Sequence, residues 1–260
     1  MNNETPSITV FIGFDERQPE AFKACKQSIL ENSAICDVTI IPLKHKELRE
    51  KGLFNREWTV KANGQYIDNV DGKPFSTQFS HTRFLVPHLS KTLSDRFTVF
   101  VDSDFIFTTD IAYLVLDTVD PANQKPVYCV KHNYTPKTAT KMDNCLQAFY
   151  NKKLWTSLLL FDNSFKETAE VLSPETVNRE DGNWLHTFKW LGDDSKIGSI
   201  NESWNYIPDH SKISQAIPNA IHYTEGVPHM KGYEKCEFYE QYLGAYHRAL
   251  KKECDDTSTC

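Results

Sequence analysis

Phe97-Thr98-Val99-Phe100-Val101-Asp102-Ser103-Asp104 is the stretch on which the fold of this chain turns. Its first part is wholly β-branched or aromatic, the composition of a strand buried on both faces. Two carboxylates follow at i and i+2, at the strand's C-terminal end. In open parallel sheets that edge is where ligands bind. Two Asp side chains held there repel each other unless a cation sits between them. Oxygen ligands suit magnesium or manganese, which complete their shells with water and substrate phosphates. The pattern predicts a divalent cation steadying the charge of a diphosphate. A solvated turn is the alternative.

Towards the N-terminus, Ile8 to Phe14 reads as a buried strand ending at Gly13-Phe14-Asp15. Pro19 opens a helical pattern with Phe22, Cys25, Ile29 and Leu30 on one face. Asp37 to Leu43 reads as a second strand. A β-α-β start predicts a parallel sheet covered by helices, an α/β fold. Lys51 to Pro74 is rich in Gly, Asn and Asp and predicts a long functional loop. Phe79 to Leu89 has helical spacing, with Phe79, Thr82, Val86 and Leu89 on one stripe. Arg83 falls about 40° from Phe79, at the edge of that stripe. Its guanidinium there calls for an anionic partner, a carboxylate of the Asp pair or a bound phosphate. A snorkelling Arg is the alternative.

Towards the C-terminus, Val127 to Lys131 and Ser157 to Phe161 read as strands, and Lys141 to Phe149 and Lys166 to Leu172 as helical pieces. Ala220 to Tyr223 is a last short strand, and Tyr233 to Lys252 a closing helix. His222 stands at that strand's end before Glu225-Gly226, where an imidazole nitrogen can become a third metal ligand beside Asp102 and Asp104. Gly192-Asp193-Asp194 offers paired acids that can position a hydroxyl or act as a base, or simply cap a turn.

A net charge of -6 and a pI near 5.9 argue against a surface built to grip nucleic acid. The stretch Lys131 to Lys153 runs the other way, with Lys131, Lys137, Lys141, Lys152 and Lys153 against Asp143. It reads as a solvated face or as a surface for an anionic acceptor. No apolar run reaches the roughly 18 residues that span a bilayer, and Met1 to Thr5 lacks the pattern of a signal peptide. Seven scattered cysteines fit neither a zinc knuckle nor a redox pair. Free thiols place the protein in the cytoplasm.

Taken together, Ser80-His81-Thr82-Arg83-Phe84-Leu85-Val86-Pro87, then Thr98 to Ile106 and Thr109-Asp110-Ile111, resemble the family 8 glycosyltransferases and their bacterial relatives. In that family an Arg-bearing helix leads into a strand ending in an Asp-x-Asp signature. Trp155 to Asn163 resembles the family's next strand, and Asp193-Asp194 with Trp204-Asn205 the segment holding its acceptor-side acid. His222 to Gly226 resembles the late His that completes the metal site.

The resemblance implies a GT-A (Rossmann-like) fold, a mixed and mostly parallel sheet flanked by helices. Without an internal repeat or low-complexity linker the chain reads as a single domain over residues 1–250 with a polar tail at 251–260, and the resemblance divides it into a nucleotide-binding half to about 132 and an acceptor-side half from 133. It further implies a nucleotide-diphosphate sugar donor, Mn2+ or Mg2+, and retention of configuration. The acceptor would be a hydroxyl of a glycan, a lipid-linked sugar or another molecule. Phe11, Gly13, Phe14 and Asp15 fall at the nucleotide base, Asp102, Asp104 and His222 at the metal, and Arg83 and Ser103 beside the donor. Gly226, His229 and Lys231 fall at the diphosphate, and Asp193 and Asp194 at the reacting hydroxyls, with Trp184, Trp190 or Trp204 stacking on the acceptor. Three places depart from the family pattern: Trp155-Thr156-Ser157 lacks its Asn and Gly, Asp194 stands where relatives carry Gln, and Val227 to Lys231 replaces its Lys-Pro-Trp. A haloacid-dehalogenase-type phosphatase, a non-catalytic nucleotide- or sugar-binding protein, and a transferase acting on DNA are the competing readings.

Overall fold

The computed structural model describes residues 7–133, 152–212 and 217–257. The expected helix at Lys141 to Phe149 lies outside them, as do Lys137 and Lys141 of the basic stretch. Eleven strands are found among the described residues. They are β1 (Ser7–Gly13), β2 (Asp37–Leu43), β3 (Trp58–Val60), β4 (Tyr66–Asp68), β5 (Pro74–Phe75), β6 (Phe97–Val101), β7 (Phe105–Phe107), β8 (Val127–Cys129), β9 (Leu158–Asp162), β10 (Ile197–Ser199) and β11 (Ala220–His222). The helices are α1 (Pro19–Asn32), α2 (His45–Glu50), α3 (Val86–Leu89), α4 (Ala112–Thr118), α5 (Lys166–Val171), α6 (Pro174–Arg179), α7 (Gly182–His186) and α8 (Tyr239–Thr257).

The main sheet has six strands in the order β10-β8-β9-β6-β1-β2. β2, β1 and β6 run parallel, as do β8 and β10, and only β9 is antiparallel, to both β6 and β8. β1, α1 and β2 thus form the parallel unit that their apolar patterning predicts. Side chains alternate across the central strands. Val10 and Ile12 of β1, Val99 and Val101 of β6, and Leu158 and Leu160 of β9 enter one core. Phe11, Phe100, Leu159 and Phe161 enter the core on the opposite face. Both faces are covered, which is why these strands read as unbroken apolar runs. Each such side chain contributes about 1.5–3 kcal/mol on full burial.

A third cluster joins α1 to α8. Ala21 and Ala24 let the helices approach, and Tyr242 and Ala245 of α8 meet Ile106, Ile221 and Tyr223. α8 begins later than the closing helix expected at Tyr233 and carries residues 251–257 within it, where a polar tail was expected. The segment expected as one helix from Phe79 to Leu89 is a 3-10 turn over Thr82–Leu85 followed by the short α3. Pro87, which has no N–H to give, sits in its first turn.

Residues 51–74 are not a loop. They build a separate three-stranded sheet, β3-β4-β5, around an Asn63-Gly64 turn with Gly64 at φ 81. Arg56, wholly buried, anchors this sheet. It pairs with Asp68 at 2.6 Å and donates to the carbonyls of Val177 and Glu180 at 3.0 and 2.6 Å. Arg17 clips the same sheet to the end of β1. Its guanidinium lies 4.2 Å from the Tyr66 ring centroid and pairs with Asp15 at 2.8 Å.

Candidate metal centre

β6 delivers Asp102 to the C-terminal edge of the parallel strands, and the Asp102 N–H extends the ladder to the Ser157 carbonyl at 2.9 Å. The chain turns through Ser103, which is buried, and re-enters at β7. β11 pairs antiparallel with β7, setting His222 opposite Phe105, and the Tyr223 N–H bonds the Asp104 carbonyl at 2.9 Å. Strand pairing therefore brings His222 to the two carboxylates. One ligand atom from each of Asp102, Asp104 and His222 lies within 4.8 Å of the others. The two Asp side chains are 15% and 14% exposed and that of His222 is 1% exposed, so the cluster opens on its carboxylate side.

Arg83 lies beneath this cluster, 5% exposed. Its Nη1 donates to the Thr156 carbonyl at 2.7 Å and approaches Asp102 Oδ1 to 2.8 Å. The approach to Asp102 is a charge contact rather than an aligned hydrogen bond. The guanidinium also faces the Phe100 ring, 4.9 Å from its centroid. His81 and His186 flank it. Burial first, then the neighbouring guanidinium groups, hold both imidazoles well below their ordinary range. They are neutral at pH 7, and Arg83 is left as the cation behind Asp102.

The imidazole of His222 is fixed on two sides. It stacks on the Phe105 ring at 4.3 Å and 19°. Its Nδ1 meets Asn205 Oδ1 at 2.9 Å, and Asn205 Nδ2 donates to Ser157 Oγ at 2.9 Å. Its Nε2 has no hydrogen-bond partner among the described residues and stands 3.3 Å from Asp104 Oδ1. Two carboxylates and an imidazole nitrogen form a donor set that suits manganese well and magnesium less so. A buried nitrogen aimed at a carboxylate without bonding it is what a cation between them would satisfy.

The other expected residues fall into two groups. Near the edge, Gly13 ends β1 under the Phe79 ring, where a Cβ would lie 2.5 Å from ring carbons. Phe14 follows it, half-buried and edge-on to Phe22 at 5.4 Å. Asp15 is buried and accepts from the Gln78 and Arg17 N–H groups, so it shapes this loop. Gly226 lies against the Tyr233 ring. Phe11 is 2% exposed in the core, because mid-strand residues point into the layers rather than to the edge. His229 turns to α8, bonding Tyr242 Oη at 2.8 Å and stacking on Tyr246. Lys231 is exposed.

Asp193 and Asp194 are not brought to the cluster. They precede β10 and so lie at the opposite, N-terminal edge of the parallel strands. Asp193 caps a 3-10 turn through the Ser195 N–H and hydroxyl, and those bonds hold its carboxyl below the usual carboxylate range. Asp194 pairs with Lys152 on the surface. Trp204 and Trp190 are core residues. Asn205 was marked in the sequence only through the resemblance, and Ser157 and His186 carried no local signal of their place here. Two cavities open at the cluster's edge of the sheet, and the first borders the cluster through His222. One, of about 560 Å³, runs along His222, Glu225 and Tyr233. The other, of about 600 Å³, lies at the ends of β8 and β10, against His132, Ser199 and Glu202.

No family model matches the chain. It is 37% identical over 262 residues to Protein CDI of Arabidopsis thaliana, covering 98% of this chain and 93% of that protein. The chain belongs to the family of Protein CDI. This CDI-family chain also has the fold of two solved glycosyltransferases. The bifunctional WbbM aligns over 95% of this chain and 50% of its own length, with a TM-score of 0.58 and 18% identity. GlyE of Streptococcus pneumoniae TIGR4 aligns over 96% of this chain and 64% of its own, with a TM-score of 0.54 and 13% identity. The chain thus spans half to two thirds of these structures. At such identities the likeness establishes the fold, and the expected GT-A arrangement is the one found. Among the described residues, no helix of this chain is long and apolar enough to cross a membrane.

Proposed function

We propose that this CDI-family protein is a metal-dependent glycosyltransferase that moves a sugar from a nucleotide-diphosphate donor to an acceptor hydroxyl. The observation that carries this reading is the cluster of Asp102, Asp104 and His222 at the ligand edge of a GT-A sheet. A divalent cation held there would supply charge neutralisation to the departing diphosphate. Asp102 and Asp104 would hold it by one oxygen each and His222 by Nε2. Arg83 keeps Asp102 in place and adds positive charge behind the site. Gly13 and Phe14, at the end of β1, would border the base, with the N-terminal half as the nucleotide side. The two cavities are of ligand size, and support room for an acceptor beside the donor. Retention of configuration follows from the family 8 resemblance and belongs to this proposal.

The phosphatase reading needs a second acid pair beside Asp102, and Asp193-Asp194 lies at the other edge of the sheet. Free thiols at Cys25, Cys36, Cys129, Cys236 and Cys254, among the described residues, support placing the protein in the cytoplasm.

The test is thermal stability against nucleoside diphosphates and nucleotide-sugars, each with and without Mn2+. Binding to the native state raises Tm through linkage. A rise that needs both one nucleotide and Mn2+ is expected. Turnover of the matching nucleotide-sugar then separates an enzyme from a non-catalytic binder. Absence of any shift across the panel would overturn the reading.

A further inference from the structure

Asn205 is a link in a relay of three hydrogen bonds whose directions are forced from one end. The Leu154 carbonyl can only accept, so Ser157 Oγ donates to it, at 2.7 Å. That commits the hydroxyl's one proton, and Ser157 Oγ must accept from its other neighbour. The neighbour is therefore the amide nitrogen of Asn205, at 2.9 Å. The amide oxygen is left facing His222 Nδ1, also at 2.9 Å, and an amide oxygen cannot donate. Nδ1 of His222 therefore carries a proton, and in the neutral ring Nε2 is left with the lone pair.

We infer that Asn205 is a positioning residue that locks His222 in the Nδ1–H tautomer and so keeps Nε2 available to a cation. The inference rests on the metal-dependent reading above for its purpose, though not for its geometry. The links are sealed: Ser157, Asn205 and His222 are 2%, 0% and 1% exposed, so water cannot stand in for any of them. The Phe105 ring stacked on the imidazole opposes a ring flip. A free neutral imidazole favours its proton on Nε2. In that form His222 would place an N–H 3.3 Å from Asp104 Oδ1, and a direct His–Asp hydrogen bond would compete with the cation for both groups. Asn205 removes the competitor. Partners of this kind on the far nitrogen of a ligating histidine fix its tautomer and orientation.

The experiment uses the full chain labelled with 15N-histidine, free of metal, and reads the His222 tautomer from its ring nitrogen shifts. Mn2+ affinity is read separately, from the electron paramagnetic resonance of free Mn2+. Wild type is expected as Nδ1–H. Asn205→Leu is expected to move His222 towards Nε2–H and to weaken Mn2+ binding by about 10- to 100-fold. Asn205→Asp offers a carboxylate oxygen to the same proton, so it is expected to restore the Nδ1–H form. Should Asn205→Leu not fold, Ser157→Ala tests the same relay with a smaller change, because it frees the amide to turn over. Nε2–H in the wild type, or Nδ1–H in Asn205→Leu with Mn2+ affinity changed by less than about twofold, would overturn the inference. If the wild type bound no Mn2+ while showing Nδ1–H, the metal reading would fail and the tautomer lock would stand.

Discussion

His222 Nε2 and Asp104 Oδ1 stand 3.3 Å apart, both buried and with no hydrogen bond between them. Buried polar atoms that face each other without a hydrogen bond are a local cost. β11 nevertheless holds them together through its ladder with β7. The arrangement suits binding a cation better than it suits the stability of the bare protein.

Asp104→Asn should separate those two roles. It removes one charge from a close carboxylate pair, so the metal-free Tm should hold or rise. The Tm rise caused by Mn2+, worth about 2.7 kcal/mol when Mn2+ is present at a hundred times its Kd, should vanish, together with any transferase turnover. Calorimetry with and without Mn2+ reads both. A variant that kept its Mn2+ response would remove Asp104 from the metal centre.

Gly13→Ala should injure the end of β1 without touching the metal cluster. The new Cβ meets the Phe79 ring at 2.5 Å, an overlap expected to cost about 1–3 kcal/mol. Adding Phe79→Leu makes room and should recover part of the loss. A double-mutant cycle in urea measures the coupling. Additive losses would show that the ring yields without strain.

Arg56→Ala should be among the more damaging single changes in the chain. It strands Asp68, 2% exposed, without its partner. Burial already pushes the Asp68 carboxyl up against the pull of the guanidinium. Breaking a buried pair in this way costs about 3–5 kcal/mol. Arg56→Met together with Asp68→Leu should lose less. Urea midpoints of the three proteins decide the order.

Acid should begin to destabilise the fold while its carboxylates are still ionised. His81 and His186 titrate near 6.5 when unfolded and well below that when folded, chiefly because burial disfavours their charged forms. Their contribution is complete above about pH 6.5. As pH falls below it, the unfolded chain takes up protons that the folded chain refuses, and stability drops by up to about 1.4 kcal/mol per pH unit for each group. Unfolding midpoints from pH 8 to pH 5 measure the slope. His81→Gln should flatten it, and an unchanged slope would exclude His81 as a source.

The parts legible in the sequence were those where one element carries its own signal. The apolar run from Phe97 to Val101 announced β6, and the carboxylates at i and i+2 followed from it. Pro19 and the stripe from Phe22 to Ile29 announced α1. The hairpin within residues 51–74 had its cue in Asn63-Gly64, but its strands are three residues long or shorter and only Tyr66 and Asp68 among their residues are buried, so no period was visible. The direction of β9 leaves no local trace, since a strand buried on both faces has the same composition either way up. Asp193-Asp194 shows why a short acidic motif is weak: a turn cap and a catalytic pair look alike until the sheet says which edge they occupy. Asn205 acts through Ser157 and His222, 48 and 17 residues away, and no pattern in the chain marks such a partner.

The pairing of β11 with β7 also sets when the site can exist. It closes a loop of about a hundred residues, a long-range contact of the kind that forms late in folding. On the ribosome, Asp102 and Asp104 emerge well before His222, and until β11 arrives the growing chain has two ligands and no third. A nascent chain stalled anywhere short of Ala220 can fold its first β-α-β unit and still be unable to assemble the cluster. If the cluster holds a cation as proposed, its capture is deferred until translation has passed His222, and the bound ion certifies that distant segments have found each other.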